Sequence, residues 1–256
     1  MSYLVDCHSH INEFDMIEIE DILRRAEKAQ VSKIIVAGTT VGSSKQCALL
    51  ATQFPELLSG IGIHPMDINL PVTEKTIDEL IQMTDSKNKV VVISEIGLDF
   101  MEGMPDRELQ YTAFRLQIRM ARILNLPIIF HSREAENETL RILKEEKAFE
   151  VGGAMHYFQG DEKLAKTVID MGFFISIAKP LLRLEKLQQV VSTISLNHIV
   201  IESDSAPQPF KAKRENWTEP RHVKDIVIKI SELHKVSFEE VKEFTYNNIV
   251  ELVPKI

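Results

Sequence analysis

Histidines and carboxylates recur directly after short apolar segments of the sequence. The first such segment ends in the string DCHSH, which places His8 and His10 two positions apart. Neutral imidazoles and carboxylates are ligands for divalent transition metals and can also transfer protons. If the protein brings these positions together, the sequence therefore predicts a metal centre. The other candidates of this kind are His64, Glu95, His131, His156 and Asp204.

The spacing of the first histidine pair fits binding of one ion. Side chains two positions apart on a strand point to the same face, so His8 and His10 can approach one ion together. Cys7 and Ser9 would then point to the other face of the strand. Asp6 and Asp99 are expected to support the ligands rather than to bind an ion.

The elements that must position these residues are predicted by alternation along the chain. Segments with helical spacing of apolar residues, such as Ile19, Ile22, Leu23 and Ala26, separate the short apolar segments and predict amphipathic helices. Parallel strands need such crossovers. The eight predicted strands cover residues 3–6, 33–37, 57–63, 89–94, 126–130, 152–155, 173–177 and 199–201.

Eight strand and helix units predict an α/β protein, a (β/α)₈ TIM barrel forming a single domain over residues 1–256. A doubly wound open sheet is the alternative, but it favours a glycine-rich phosphate turn after the first strand, where this chain has DCHSH. Barrel active sites lie at the carboxyl ends of the strands. The candidate ligands would therefore converge on one mouth.

A converged set of this composition fits two divalent ions. Glu95 follows the middle strand of the barrel and is placed to bridge two ions. Ions about 3.5–4 Å apart can activate a water and stabilise the attacking and leaving oxygens of a phosphoryl displacement. Asp204 would bind one ion and act as the general base, so that Glu95 and Asp204 carry the catalysis.

The composition restricts the classes of protein and partner. Of the 256 residues, 44% are hydrophobic and 27% charged, which is typical of a globular protein. The formal net charge of −8 argues against a broad basic face for nucleic acid, although bound cations could supply positive charge locally. Two cysteines fit a reducing compartment, and no segment has the length or composition of a membrane span or a signal peptide. We expect a cytoplasmic protein without membrane contact.

Six motifs follow one another along nearly the whole chain: DCHSH at 6–10, GIHP at 62–65, EIGLD at 95–99, LPIIFHSREA at 126–135, HYFQG at 156–160 and ESDSAP at 202–207. Together they resemble the TatD family of metal-dependent deoxyribonucleases. The resemblance implies metal-dependent hydrolysis of phosphodiesters in DNA.

The resemblance also implies a place for each ligand. His8 and His10 would match the first-strand ligands, and Glu95 the bridging carboxylate. His131 and His156 would bind the second ion, while Asp204 would be both a ligand and the base. The ligand types favour Zn or Mn and the family activity favours Mg, so the identity of the metal stays open.

The chain departs from the family pattern around the mouth. It has HYFQG where HCFSG is common, so that Tyr157 and Gln159 are unusual, and Pro207 stands one position later than expected. The segment SIAKPLLR, which contains Lys179, lacks the expected glycine-containing turn. These changes affect the substrate prediction more than the fold or the metals.

Two groups of residues are predicted to contact substrate. His64 and Arg133 lie at the mouth, where each could bind a phosphate or instead orient a ligand. The loop at 208–217, QPFKAKRENW, is the one basic patch of an acidic chain. Its Lys211, Lys213 and Arg214 could follow the backbone of single-stranded DNA or of strand ends. Equally, it could be a solvated loop whose Trp217 packs on the barrel.

Three functional classes compete. The first is a two-metal nuclease acting on DNA ends, and the second is a hydrolase of a small ester, lactone or amide on the same barrel. Related hydrolases often bridge their metals with a carboxylated lysine, whereas this chain offers Glu95, which favours the nuclease. The third class is a non-catalytic binding barrel, which should have lost ligands, and all six are present.

Overall fold

The computed structural model of the protein describes residues 2–254. Eight parallel strands form one sheet in which each strand pairs with the next along the chain. The strands are β1 (Leu4–Ser9), β2 (Val31–Ala37), β3 (Leu57–Ile61), β4 (Val90–Asp99), β5 (Ile128–Arg133), β6 (Gly153–Met155), β7 (Phe174–Ile177) and β8 (Ile199–Ile201). Helices separate consecutive strands, which confirms the predicted (β/α)₈ TIM barrel.

The helices follow from local capping and amphipathic spacing. Asp15, for example, accepts a hydrogen bond from the backbone of Glu18 at the start of α1, and the predicted apolar face of α1 is buried. The helices are α1 (Met16–Lys28), α2 (Val41–Gln53), α3 (Glu74–Ile81), α4 (Arg107–Leu124), α5 (Glu136–Glu145), α6 (Glu162–Asp170), α7 (Glu185–Thr193), α8 (Val223–His234) and α9 (Phe238–Leu252). Among the residues described, no helix is long and apolar enough to cross a membrane.

Two buried clusters divide the core. The larger lies between the sheet and the surrounding helices. The smaller takes at least one residue from each of the eight strands and therefore fills the barrel interior. The end of α9 joins this interior cluster, and Asn248 donates to the carbonyls of Leu196 and Ile199 at the start of β8. Helix α9 thus covers the amino end of the barrel, leaving the carboxyl end as its mouth.

The first and last strands meet at the mouth. The backbone amide of Asp204 donates to the carbonyl of His8 at 3.0 Å, and that of His10 donates to Ser205 at 2.7 Å. The buried carboxylate of Asp6 accepts from the backbone of Ser203 at 2.8 Å. These contacts join β1 to the segment after β8.

Three strands extend beyond the apolar segments that predicted them. β1, β4 and β5 continue into the polar residues at the mouth, so His8, Glu95 and His131 lie within strands rather than after them. Apolar composition marks only the part of a strand that is packed against other apolar groups. A strand that borders a polar cavity keeps its pairing without that signal.

Irregular pairing sets the direction of the mouth side chains. Four residues of β1, from Asp6 to Ser9, lie opposite three of β2, from Ile34 to Val36, and β4 is similarly irregular between Ile93 and Ile96. Such bulges re-aim side chains near active sites. Cys7, predicted to lie on the strand face opposite His8 and His10, instead joins the interior cluster below the mouth, with its sulfur 3.2 Å from Oγ of Ser176.

Candidate metal centre

The carboxylate of Glu95 lies at the centre of the converged histidines. Its Oε2 is 3.4 Å from Nε2 of His8 and 3.5 Å from Nε2 of His10. Its Oε1 faces a different set of imidazoles, with distances of 3.0 Å to Nδ1 of His131 and 3.4 Å to Nε2 of His156. The two oxygens of one carboxylate therefore serve two groups of possible ligands, on either side of Glu95.

Asp204 completes the set on the side of the last strand. Its Oδ1 is 3.5 Å from Nε2 of His10 and 4.0 Å from Nε2 of His156. The residue has a φ of 51°, and its backbone amide is held by the hydrogen bond to His8. All six ligands predicted from the sequence are thus brought together. The side chain of Asp204 stays 29% exposed, against 4% for that of Glu95, so it is the more accessible of these two carboxylates to a molecule in the cavity.

His64 lies closer to the ligands than the sequence alone indicated. Its Nδ1 accepts a hydrogen bond from the backbone of Met66, which leaves Nε2 facing Oε1 of Glu95 at 3.3 Å. Three groups of possible ligand atoms occur among the residues described, and His64 belongs to one of them. The groups are His8, His10 and Glu95; His8, His156 and Asp204; and His64, Glu95 and His131.

Contacts on the far side of each imidazole fix its orientation. Nδ1 of His8 lies 3.2 Å from Oγ of Ser94, and Nδ1 of His10 lies 3.1 Å from the carbonyl of Ala37. Both rings therefore present Nε2 to the centre. Fixing the outer nitrogen of a ligating histidine sets its tautomer and raises its basicity.

Asp99 performs the same task for His131, in agreement with the supporting role expected for it. Its Oδ2 lies 3.0 Å from Nε2 of His131, so that Nδ1 is the nitrogen facing Glu95. Burial alone raises the pKa of Asp99, but the contacts with His131, Met101 and Arg133 lower it to about 2. Close approach of β4 and β5 permits this geometry: a Cβ on Gly97, whose φ is 148°, would lie 2.0 Å from the carbonyl oxygen of His131.

Opposite charges stabilise the carboxylates of the centre. Burial raises the pKa of Glu95, but the imidazoles of His156 and His64 hold it well below its usual range. The pKa of Asp204 is lowered to about 2, mainly by His10 and His156, against the effect of burial. Both carboxylates are ionised at neutral pH.

The pKa values of the His156 and His10 imidazoles are raised rather than lowered. Burial lowers the pKa of His156, but Glu202 and Glu95 raise it to about 10. Burial also opposes charge on His10, whose pKa is nevertheless held well above its usual value by Asp204 and Glu95. For His8, burial and the neighbouring His156 lower the pKa. Cations are therefore favoured between the carboxylates, whether they are protons or metal ions.

A cavity of about 690 Å³ opens directly above the centre. Its wall includes the predicted substrate residues His64 and Arg133, and the unusual Tyr157 and Gln159. Tyr157 has a φ of 48°, and its ring centre lies 5.6 Å from that of His156. Of the residues that depart from the family pattern, Tyr157 and Gln159 thus line this cavity, whereas Lys179 does not.

The basic loop at 208–217 is held by its own charged residues. Nε of Arg214 pairs with Glu18 at 2.6 Å and its Nη1 with Glu219 at 3.0 Å, while the guanidinium stacks on Trp217. Lys211 donates to Gln208 and to the carbonyl of Asn216. Neither Lys211 nor Arg214 lines the cavity. Their contact with substrate stays a prediction, and both have a structural role that the sequence did not reveal.

Lys213 and Phe210 of that loop are both exposed. The side chain of Lys213 is 69% exposed, with Glu215 at 3.9 Å, and Phe210 is 80% exposed. Trp217 instead packs toward Phe14, at a ring distance of 5.9 Å. The loop therefore has features of both alternatives. Trp217 is packed, as in a structural loop, while Lys213 and Phe210 are exposed, as in a loop that could meet DNA.

Comparison with known proteins identifies the family. A family model described as "TatD related DNase" matches residues 5–254. The uncharacterised metal-dependent hydrolase YabD of Bacillus subtilis is 33% identical, over 96% of this chain and 96% of that protein. The human deoxyribonuclease TATDN3 is 31% identical, over 99% of this chain and 95% of that protein.

Solved structures agree with the sequence matches. The crystal structure of YJJV, a TatD homologue from Escherichia coli K12, has a TM-score of 0.89 at 25% identity and covers 99% of this chain and 98% of its own. A TatD-family hydrolase from Entamoeba histolytica has a TM-score of 0.87 at 23% identity, with 98% of both chains covered, and supports the fold. With the ligand types converged at the barrel mouth and a family match across the chain, the protein belongs to the TatD family of metal-dependent hydrolases.

Proposed function

We propose that the protein is a two-ion deoxyribonuclease that removes nucleotides from the ends of DNA strands, with Asp204 as general base. The observation that carries this proposal is the position of Glu95, whose two oxygens face separate groups of imidazoles. A carboxylate so placed fits the bridge between two ions. The name of the human relative supports DNA as the substrate.

The donor set fits divalent ions. Imidazole nitrogens and ionised carboxylates suit Zn²⁺ or Mn²⁺, and the carboxylates also suit Mg²⁺. Glu95 would be shared, with His8 and His10 on the side of Oε2 and His131 and His156 on the side of Oε1. Such ions would supply positive charge toward a phosphoryl oxygen and make a water more acidic.

The residues of the chain would divide the remaining tasks. Asp204 is ionised and partly exposed, so it can accept the proton of an attacking water. Arg133 is 45% exposed in the cavity wall and has donors free of its contact with Asp99, which suits a phosphate oxygen. Tyr157 and Gln159 narrow the cavity on the side of His156 and would limit which groups of the substrate enter.

A second candidate is hydrolysis of a small ester, lactone or amide, and the charge of the cavity wall favours it. Besides the ligands, the wall carries Glu13, Asp67 and Glu136, against the one arginine Arg133. These carboxylates would repel a polyanion at all phosphates except those close to the bound ions. A short substrate, or only the end of a strand, fits this distribution of charge better than a long duplex.

The two candidates are separated by one set of assays. Protein loaded separately with Mg²⁺, Mn²⁺ and Zn²⁺ is given end-labelled single and double DNA strands, matched RNA, and a panel of small esters, lactones and amides. We expect shortening of DNA from its ends and a decrease of about 10²- to 10⁴-fold in rate for Asp204→Asn. Intact DNA with hydrolysis of the small substrates would establish the second candidate. Undiminished activity of Asp204→Asn would refute the proposed base.

A further inference from the structure

A fully buried carboxylate lies beside the metal centre without belonging to it. Glu202 follows β8 directly, is 0% exposed, and is absent from the groups of possible ligand atoms among the residues described. Moving an ionised carboxylate out of water is unfavourable unless it is paired and hydrogen-bonded. The contacts of Glu202 therefore indicate its purpose.

The two oxygens of Glu202 have different partners. Oε2 accepts a hydrogen bond from Oγ of Ser176 at 2.5 Å. Oε1 accepts from the backbone amide of Tyr157 at 2.6 Å and lies 3.1 Å from Nδ1 of His156. Ser176 and Tyr157 belong to separate segments of the barrel, so the carboxylate is fixed from two directions.

The outer nitrogen of His156 faces a carboxylate, as does that of His131, which faces Asp99. Nε2 of His156 faces Glu95 and Asp204, while its outer nitrogen, Nδ1, faces Glu202. The outer nitrogens of His8 and His10 meet neutral oxygens instead, from Ser94 and Ala37. His156 directly follows β6, and its backbone amide donates to the carbonyl of Phe130 on β5 at 3.0 Å, so the remaining freedom lies in its ring.

We propose that Glu202 is the positioning residue for ion binding by His156. Its Oε1, 3.1 Å from Nδ1, favours the tautomer of His156 that carries the proton on Nδ1, which leaves the lone pair of Nε2 directed at the centre. The same oxygen holds the backbone of Tyr157, so the carboxylate sets both the ring of the ligand and the start of the cavity wall beside it. The inference rests on the proposed centre of two ions but not on the identity of the ester hydrolysed.

The test measures ion affinity rather than hydrolysis. Ion-free wild type and Glu202→Gln are titrated with Zn²⁺ and with Mn²⁺ by calorimetry. We expect one of two binding events to weaken by about 10- to 100-fold, the usual effect of removing the partner of a ligating histidine. The affinity of the other binding event, on the side of His8 and His10, should stay within about threefold of the wild-type affinity. This change is well below the loss of about 10- to 100-fold expected for the first event.

Glu219→Gln provides the matched control. Glu219 is another buried glutamate at the same end of the barrel, but its charged partners are Arg25, Arg214 and Arg221 rather than a candidate ligand. Its substitution should lower stability and leave both ion affinities unchanged. Equal affinities for Glu202→Gln and wild type would overturn the inference. Failure of the wild type to bind ions would refute the proposed centre and the inference with it.

A second measurement needs no variant and covers the case in which Glu202→Gln fails to fold. Nitrogen-15 spectra of the histidine rings in the Zn²⁺-loaded wild type report which nitrogen carries the proton. We expect His156 to have a protonated Nδ1 and an ion-bound Nε2. An unprotonated or ion-bound Nδ1 would overturn the inference, since Glu202 would then have no proton to accept.

Discussion

Nη2 of Arg133 lies 2.8 Å from Oδ2 of Asp99, at the edge of the metal centre. The same oxygen lies 3.0 Å from Nε2 of His131. Arg133 thus reaches the ligand His131 through one carboxylate while nearly half of its own side chain faces the cavity. Substrate contact and ligand orientation, which the sequence presented as alternatives for this residue, are compatible in one geometry.

The Arg133→Ala substitution should separate these two effects. Removal of the guanidinium takes away a phosphate partner, so we expect KM for a DNA substrate to rise by about tenfold, equivalent to about 1.4 kcal/mol. Ion affinity should fall by less than the change at Glu202, because Asp99 still contacts His131. Steady-state kinetics and ion titration on the same preparation check both values. An unchanged KM together with a reduced ion affinity would assign Arg133 to ligand orientation alone.

Ion binding should release protons. The raised pKa values of His156, about 10, and of His10 mean that these rings hold protons at neutral pH in the absence of ions. Ions compete with those protons, so the apparent affinity should increase as the pH rises from 6 toward 9, up to about tenfold per pH unit for each proton displaced. Calorimetry in two buffers with different ionisation enthalpies measures the protons released. A binding enthalpy independent of the buffer would contradict this prediction.

The buried Glu219 should make stability depend on pH. Burial raises its pKa, but the hydrogen bonds from Arg25 and the charges of Arg25, Arg221 and Arg214 lower it below the usual value. A lowered pKa stabilises the folded state fully above the pKa of the unfolded chain, and this stabilisation is lost as the pH falls through the folded value.

We therefore expect Glu219→Gln to reduce the free energy of unfolding by about 1–3 kcal/mol at pH 7. The difference from wild type should shrink below about pH 4, where the glutamate of the unfolded chain is itself protonated. Denaturant unfolding of both proteins at several pH values tests this. A constant difference across that range would show that the charge of Glu219 is not the stabilising feature.

The exposed lysine of the basic loop offers a clean test of DNA binding. Lys213→Glu should weaken binding of single-stranded DNA and reduce the slope of log affinity against log salt by about 0.7 for each phosphate that the variant no longer neutralises. Lys166→Glu, a similarly exposed position paired with Asp170 on α6, is the control. Charge reversal at Arg214 is less informative because it would break the pairs with Glu18 and Glu219. Equal salt slopes for the Lys213 and Lys166 variants would remove the loop from the proposed binding surface.

The architecture could be predicted because its signals are local. Each parallel strand is covered on both faces, so it appears as a continuous apolar segment, and the crossovers between strands have helical spacing. The same regularity placed Glu95 and Asp204 at one mouth before any distance was known. Chain order and strand direction are sufficient for that inference.

The support around the ligands could not be predicted in the same way. Glu202 begins the ESDSAP motif, two residues before Asp204, but the motif does not indicate that its partner is His156, which follows a different strand. Arg214 likewise reads as a free cation, whereas it pairs with Glu18 from the other end of the chain. These contacts join residues distant in sequence, and no periodicity reports them. The direction of Cys7 could not be predicted for a related reason, because pairing between two strands determines the bulge.

The contacts that join β1 to the segment after β8 have a consequence for the assembly of the protein. His8 belongs to the first strand and Asp204 follows the last, and the backbone bond between them is among the contacts most distant in sequence. All residues from His8 to Asp204 must therefore leave the ribosome before the ligand set can assemble. Incomplete or truncated chains would present isolated histidines with weak affinity for ions, whereas a finished barrel would be selectively stabilised by ions through mass action. Ion binding at the proposed centre would thus stabilise only chains in which β1 has joined the segment after β8.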